Sequence, residues 1–433
     1  MFRKAVLPIT TAIVCGFTIT AQVRPTGEEL LAKVRAKILE NVDRLSNYTC
    51  TETVERKVFE LRDDSISPKA CAAFLDSDRS GHLCNSDQLR LDVGIAKTGE
   101  EMFSWPEADR FEVDDPRQLL PGANTRGTFA ELLNEIFRRG PVISYRGESQ
   151  AGERTLAEYD FAASREQSRI PYEEDFSVIT GYDGAFLVDS ETSDLVQLRI
   201  RYLNLPQSAK ACTAATTVDY HKVLVNGISL VLPARSQAVF IDRDGRKLVN
   251  QTTFSDCHQF VGQSELHFGR EPGEGEPPHR APAKLDVAGG IPFEIAIDED
   301  VDIRSAAVGD PIRCKLATPL RGAEGIVAPA GTPVTARIVQ LARIFNSCVH
   351  DCKIMAAAPI PGTVTFSFRL ENILIGGTAQ ALSARPGPPS DNPHSTPSPV
   401  IWSSAGDALT GVLRPNRSML MTNGLRTEWF TAK

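Results

Sequence analysis

The tightest group of reactive side chains in the sequence is Cys348-Val349-His350-Asp351-Cys352. Two thiolates and an imidazole at this spacing could ligate zinc, but a structural zinc site needs a fourth ligand, usually from a second cysteine pair. A disulfide closing a hairpin loop is the reading that fits an oxidising compartment. Cys257 and His258 are neighbours, yet adjacent residues of a strand point to opposite faces, so they cannot act as a thiol–imidazole couple. His221 follows Asp219-Tyr220 in a strand-like run and has no orienting partner at a set spacing, which a general base requires. Glu173-Glu174 and Asp298-Glu299-Asp300 lie in polar, loop-like contexts and lack the alternating oxygen ligands of a calcium loop. A nucleophile elbow, a phosphate-binding glycine loop, a zinc-protease helix and a dinucleotide fingerprint are all missing. The expectation is therefore a chain with no catalytic residues, no metal and no cofactor.

Composition sets the wider bounds. The 433 residues suffice for two or three domains, each with its own core. Hydrophobic residues make up 42% and charged residues 24%, as in ordinary globular proteins. A net charge of −8 argues against a nucleic-acid surface or a polybasic membrane patch. At the N-terminus, Arg3 and Lys4 precede an apolar run from Ala5 to Ile19, and Thr20-Ala21-Gln22 offers a cleavage site. The run is shorter than the about 20 residues of a membrane span, so residues 1–21 are expected to be a signal peptide. Cys15 raises lipidation, but Val14 is a poor residue before a lipidated cysteine. Export places the remaining eight cysteines where disulfides form. Cys71 and Cys84 are the natural local pair, then Cys348 and Cys352. Cys50 has to pair across strands, with Cys212 and Cys257 both open as partners, and Cys314 is hard to place.

One stretch organises the rest. Thr26 and Glu29 form a capping box, and Leu30, Leu31, Val34, Ile38, Val42 and Leu45 then recur as one apolar stripe. Lys33, Arg35, Lys37, Glu40, Asp43 and Arg44 fill the other face. At Ser46-Asn47 the period changes, and Tyr48–Glu60 has the composition of a long strand. Alternating strands follow at Gln88–Ile95 and Glu100–Trp105, then a short amphipathic helix at Thr128–Arg139. Further strands are expected in Val142–Arg146, Thr155–Ala162, Phe176–Thr180, Ala185–Tyr202 with a turn at Asp189–Asp194, Val218–Val225, Ile228–Phe240 and Leu248–Phe254. Residues 269–284, rich in Gly, Pro and Glu, have the composition of a linker. Beyond it, short strands from Pro292 to Ile375 with Gly turns point to a small barrel. Arg385–Pro399 is expected to be a Pro/Ser loop and Leu425–Phe430 a last strand. The fold expected is α+β: a helix packed on a curved antiparallel sheet over residues 22–268, the linker, and a small all-β barrel over residues 285–433.

The helix, the long meander and the strand–acidic turn–strand AFLVDSETSDLVQLRI resemble the LolA-like half-barrels of outer-membrane lipoprotein carriers. The segments LSNYTCTETVERKVF, EEMFSWPEADRF, VDYHKVLVNGISLVLPARS and TFSDCHQF are similar to exported proteins of soil acidobacteria. The resemblance covers residues 26–268. GIVAPAGTPVTARIV resembles a strand–turn–strand of envelope-spanning barrels. Carriers of this type hold an acyl chain between sheet and helix and do no chemistry. The resemblance thus implies a periplasmic or extracellular protein binding a lipid or an acylated envelope protein. The residues expected to line such a site, from periodicity and aromatic placement, are Leu30, Val34, Ile38, Val42, Trp105 and Phe186. Two other readings stay open. One is a structural or interaction module docking an envelope protein through the C-terminal barrel; the other is an enzyme whose cleft gathers His, Asp or Glu from separate strands.

Overall fold

Thr26 starts the first helix as its residue types dictate. The Glu29 amide donates to Thr26 Oγ1 at 3.3 Å, and the Thr26 amide donates to Glu29 Oε2 at 2.9 Å. The structure, a computed structural model, describes residues 26–45, 48–60, 81–95, 100–108, 110–119, 129–169, 171–172, 175–259, 283–346, 360–387, 400–413 and 420–432. Helix α1 (Gly27–Arg44) is followed by strands β1 (Tyr48–Glu60), β2 (His82–Ile95) and β3 (Glu101–Ser104). Helix α2 (Glu131–Leu133) runs into a π-helical turn, Asn134–Arg139, which Gly140 ends in the left-handed region. Nine strands complete this part: β4 (Val142–Ala151), β5 (Arg154–Ala163), β6 (Pro171–Tyr172), β7 (Asp175–Ile179), β8 (Gly181–Asp189), β9 (Leu195–Leu203), β10 (Ala211–Val225), β11 (Ile228–Asp242) and β12 (Arg246–Gln259).

Antiparallel pairing runs β4–β5–β8–β9–β10–β11–β12, then passes to β1, β2 and β3. The β10–β11 turn is Asn226-Gly227, with φ of 50° and 81°. Positive φ at both positions is what a two-residue hairpin turn needs, and Asn-Gly supplies it with least strain.

The sheet does not stop at β3. Strand Pro333–Ile344 pairs with β2 through Arg343 and Ile344, and carries the ladder to Val364–Ile375 and Pro311–Leu316. From there Pro292–Ile297, Arg426–Thr431 and Ala408–Leu413 join. This corrects the expected fold class. The protein is not a helix-plus-sheet fold followed by a separate small barrel. Its described residues are nearly all antiparallel sheet, 61% in strands and 10% in helices, with one large sheet that is not closed. The physical reason is that period-2 alternation dominates the chain, while helical periodicity sustained over several turns occurs once, in α1. Alternation fixes which face is buried but not which edge a strand joins.

Among the described residues two large cores lie against this sheet, beside a small cluster of Ala215, Val239, Ile241 and Val249. The α1 stripe Leu30, Val34, Ile38 and Val42 packs with Leu133, Ile136, Phe137 and the inward residues of β5 and β8–β11, including Tyr159, Phe161, Phe186 and Leu198. The second core joins Cys50, Val54, Leu89, Leu91 and Val93 of β1 and β2 to Phe293, Phe366, Phe368 and Trp429. Its seam is also polar. Arg90 pairs with Asp310 at 2.5 Å, and buried Arg337 donates to the carbonyls of Pro106 at 3.1 Å and Gly309 at 2.7 Å. Gly309 sits at φ 100° under the Trp105 ring, where a Cβ would lie 2.6 Å from Trp105 Cε3. No other residue fits that place.

Candidate functional site

Five of the six residues expected to line a ligand site come together, and Trp105 does not join them. Leu30, Val34, Ile38, Val42 and Phe186 are buried in the α1 core. Phe186 stacks on Tyr159 with ring centroids 5.1 Å apart and meets Phe137 edge-on at 5.0 Å, favourable arrangements for aromatic pairs. Tyr159 in turn donates to the Gly27 carbonyl at 2.7 Å, tying the sheet to the start of α1, and burial pushes its hydroxyl up to about 12. Trp105 lies apart, against the other core.

Cysteines are settled in part. Cys50 and Cys257 form a disulfide between β1 and β12, with Cα atoms 4.1 Å apart. The local reason is a bulge: Thr49 pairs with His258 and Thr51 with Ser255, so two β12 residues face Cys50 alone. Asp256, at φ 51°, is the turned residue. Cys84 and Cys212 are also disulfide-bonded. Cys71, Cys348 and Cys352, with the Cys348–Cys352 cluster, lie outside the described residues, as do residues 1–21, Glu173-Glu174 and most of the 269–284 stretch. Cys314 is a buried free thiol, pushed up to about 12 by burial and by the nearby carboxylates of Glu299 and Asp298.

The other sequence candidates are engaged structurally. Asp298 pairs with Lys315 at 2.5 Å, Glu299 accepts the Arg313 amide at 2.8 Å, and Asp300 accepts the Asn423 amide at 2.8 Å. His221 is exposed on β10. His258 Nε2 lies 3.0 Å from Thr49 Oγ1, its cross-strand neighbour, and its Nδ1 lies 2.8 Å from the Asp256 carbonyl oxygen. Next to them Asp92 accepts from Thr51 Oγ1 at 2.9 Å, and burial raises its carboxyl above the usual value despite that bond. Among the described residues no three His, Cys, Asp or Glu side chains are grouped to hold a metal ion.

Among the described residues a concave site forms beside α1 rather than beneath it. A groove of about 260 Å³ opens where the second half of α1, the turn after β8 and the β10–β11 hairpin meet. Ile38, Leu133, Leu195 and Val231 supply its apolar lining; Lys37, Asn41, Asp194, Lys222, the ion-paired Glu40 and Arg44, and two serines supply the polar one. Asn41 fixes the geometry, donating to the Val231 carbonyl and accepting the Val231 amide, both at 2.8 Å. The turn is held by Asp189, whose Oδ1 accepts the amides of Glu191 at 3.0 Å and Thr192 at 2.9 Å. That places Asp194 between two ammonium groups, Lys37 at 2.6 Å and Lys222 at 2.8 Å. Burial pushes the Asp194 carboxyl up, but the bonds from Lys222, Lys37 and Thr192 outweigh it and hold it below its usual value. Its contribution to stability is thus complete above the ordinary aspartate range and fades only as pH falls through the lower folded value.

Only Ile38 of the sequence-chosen residues lines this groove. Lys37, Asn41, Asp194, Lys222 and Val231 were missed because three separated segments supply them. The one local signal was Lys222 in the run His221-Lys222-Val223-Leu224, a cation leading an apolar hairpin end.

Comparison with known proteins gives distant likenesses only. No protein-family model matches the sequence, and a search of curated proteins finds no match. Among solved structures, a DUF1329 family protein from Desulfovibrio piger is similar at 10% identity and a TM-score of 0.28, covering 54% of this chain and 95% of its own. A LolA superfamily protein from Nitrosomonas europaea follows at 12% identity and 0.23, covering 52% and 92%. The lipoprotein LppX from Mycobacterium tuberculosis is similar at 11% identity and 0.20, covering 55% and 100%. At such scores the likeness carries no argument about function, which has to come from the groove. Among the described residues no helix is long and apolar enough to cross a membrane.

Proposed function

We propose that this chain is a non-catalytic binding protein that takes up a hydrophobic or amphiphilic molecule in the groove beside α1. The groove itself carries the reading: an apolar floor of Ile38, Leu195 and Val231 with a few placed polar groups at its rim. Concave sites of that make-up are the ordinary form of ligand sites, and this volume sits just under their usual range of about 300–1,000 Å³. It suits an acyl chain or a small amphiphile rather than a whole diacyl lipid. Among the described residues nothing comparable supports chemistry: the polar clusters at Asp92 and His258 lie on strand faces, bonded to their immediate neighbours.

The same proposal includes export, after removal of residues 1–21, to a periplasmic or extracellular space. The Cys50–Cys257 disulfide supports it, since such bonds persist in oxidising compartments. It also includes a division of labour, with residues 22–268 holding the ligand and residues 285–433 free to meet an envelope partner. Organic extraction of the purified mature protein, followed by mass spectrometry, tests the binding claim. A stoichiometric acyl-containing species is expected. Bare protein from both the native host and a recombinant source, together with no uptake of an added acyl probe, would refute it.

A further inference from the structure

We infer, building on the binding reading above, that the groove selects amphiphiles with a singly charged anionic head, a fatty-acid-type carboxylate above all. The observation is the charge arrangement at the rim. Asp194 is shared by Lys37 and Lys222, so two ammonium groups face one carboxylate and the set keeps one positive charge. Lys37 is also fixed by a bond to the Thr192 carbonyl at 2.6 Å, which leaves Lys222 as the adaptable member. Lys222 stands half-exposed, at 52%, and an ammonium has three donors to place.

The register of the hairpin supplies the tail. Lys222 pairs with Val231 and Leu224 with Ser229, so all four side chains share one face. Val231 lines the apolar floor, while Leu224 stands 73% exposed at the outer end of that face. A cation flanked along one face by apolar side chains matches a carboxylate head with a hydrocarbon tail. From His221 to Pro233 the hairpin carries no acidic residue that would repel such a head, and Glu40, the carboxylate on the α1 side of the groove, is neutralised by Arg44 at 2.5 Å. Desolvation at the groove mouth strengthens the pairing relative to one in bulk water.

Calorimetric titration with dodecanoate, dodecanol and acetate separates the possibilities. Wild type should bind dodecanoate about tenfold more tightly than dodecanol, the size of effect expected for a bond to a charged group, and acetate not measurably. Lys222→Met should erase the preference, bringing dodecanoate to the affinity of dodecanol, and Asp194→Asn, which frees both lysines from their shared carboxylate, should enlarge it. A merely structural ion pair would alter thermal stability in both variants without changing selectivity between heads. Equal affinity for dodecanoate and dodecanol in wild type would overturn the inference and leave the binding reading standing. Binding of neither would sink both. Tight acetate binding would recast the site as one for small anions and refute the amphiphile.

Discussion

The open sheet is covered in two different ways along its length. Over β5 and β8–β11 it is covered by α1, a single local element whose apolar stripe meets an aromatic group around Phe186. Over β1–β3 it is covered by strands drawn from residues nearly 200 or more positions later, around Phe293, Phe366 and Trp429. The first closure joins one helix to a meander of consecutive hairpins, each hairpin local in itself although helix and meander meet across 132 to 190 residues, as at Gly27–Tyr159 and Asn41–Val231. The second requires long loops to close before any contact is made, which costs conformational entropy early and slows folding. The disulfide belongs to this second region, joining residues 207 apart. A crosslink over so long a loop restrains most the part of the chain that is least local.

Breaking each closure should therefore look different. Phe186→Ala removes the centre of the helix-covered core and should cost about 3–5 kcal/mol in urea unfolding, as other buried Phe→Ala changes do. Replacing Cys50 and Cys257 together by Ser should cost about 2–5 kcal/mol, with the loss appearing mainly in the refolding rate. If the disulfide variant refolded at the wild-type rate, the contrast between a region built from consecutive hairpins and one built from separated strands would fail. Thr26→Ala, at the exposed end of α1, should cost about 1 kcal/mol and leave the second core untouched by hydrogen exchange.

Asp92 sharpens the comparison by pH. Its folded value is raised by burial, so its ionised form opposes folding at neutral pH, and that cost is relieved as pH falls through the folded value towards 3.8. Asp92→Asn keeps an acceptor for Thr51 and should raise the melting temperature slightly at pH 7 while making no difference near pH 3. A lowered melting temperature at pH 7 would show the charge to be stabilising instead. The smallest effect is expected at Cys314. With its thiol pushed up to about 12 and its side chain buried, its peptide should remain unmodified after iodoacetamide treatment of native protein at pH 8. Prompt alkylation there would show that the second core opens readily.

This difference between the two regions also decides what could be read from the sequence. The capping box, the α1 stripe and the strand starting at Tyr48 carry their signals within a few turns or pleats, and each formed where its residue types placed it. The hairpins at Asn226-Gly227 and Asp189–Asp194 were legible for the same reason. The union of β2 with Pro333–Ile344 was not, because two alternating strands say nothing of their edge partners. Val400–Ala405 and Ala408–Leu413, strands around a Gly turn, escaped notice beside a Pro-rich stretch. The site was the least legible part. The stripe residues were expected to line a ligand site; they pack together as a core, with Ile38 also facing the groove, and periodicity cannot distinguish a lining from a core. Lys37 looked like one more cation on a solvated face, and only the turn holding Asp194 gives it a role.

The central claim, that a ligand lies beside α1 and not beneath it, is tested most directly by blocking each place in turn. Ser229 is exposed on the groove wall, so Ser229→Trp should fill the groove without disturbing the fold. Val34 is fully buried under the helix, and Val34→Ala should open space there alone. Uptake of an acyl-chain probe, measured for both variants against wild type, should be lost in Ser229→Trp and retained in Val34→Ala. Full uptake by Ser229→Trp with a gain in Val34→Ala would contradict the account and return the ligand to the space between helix and sheet.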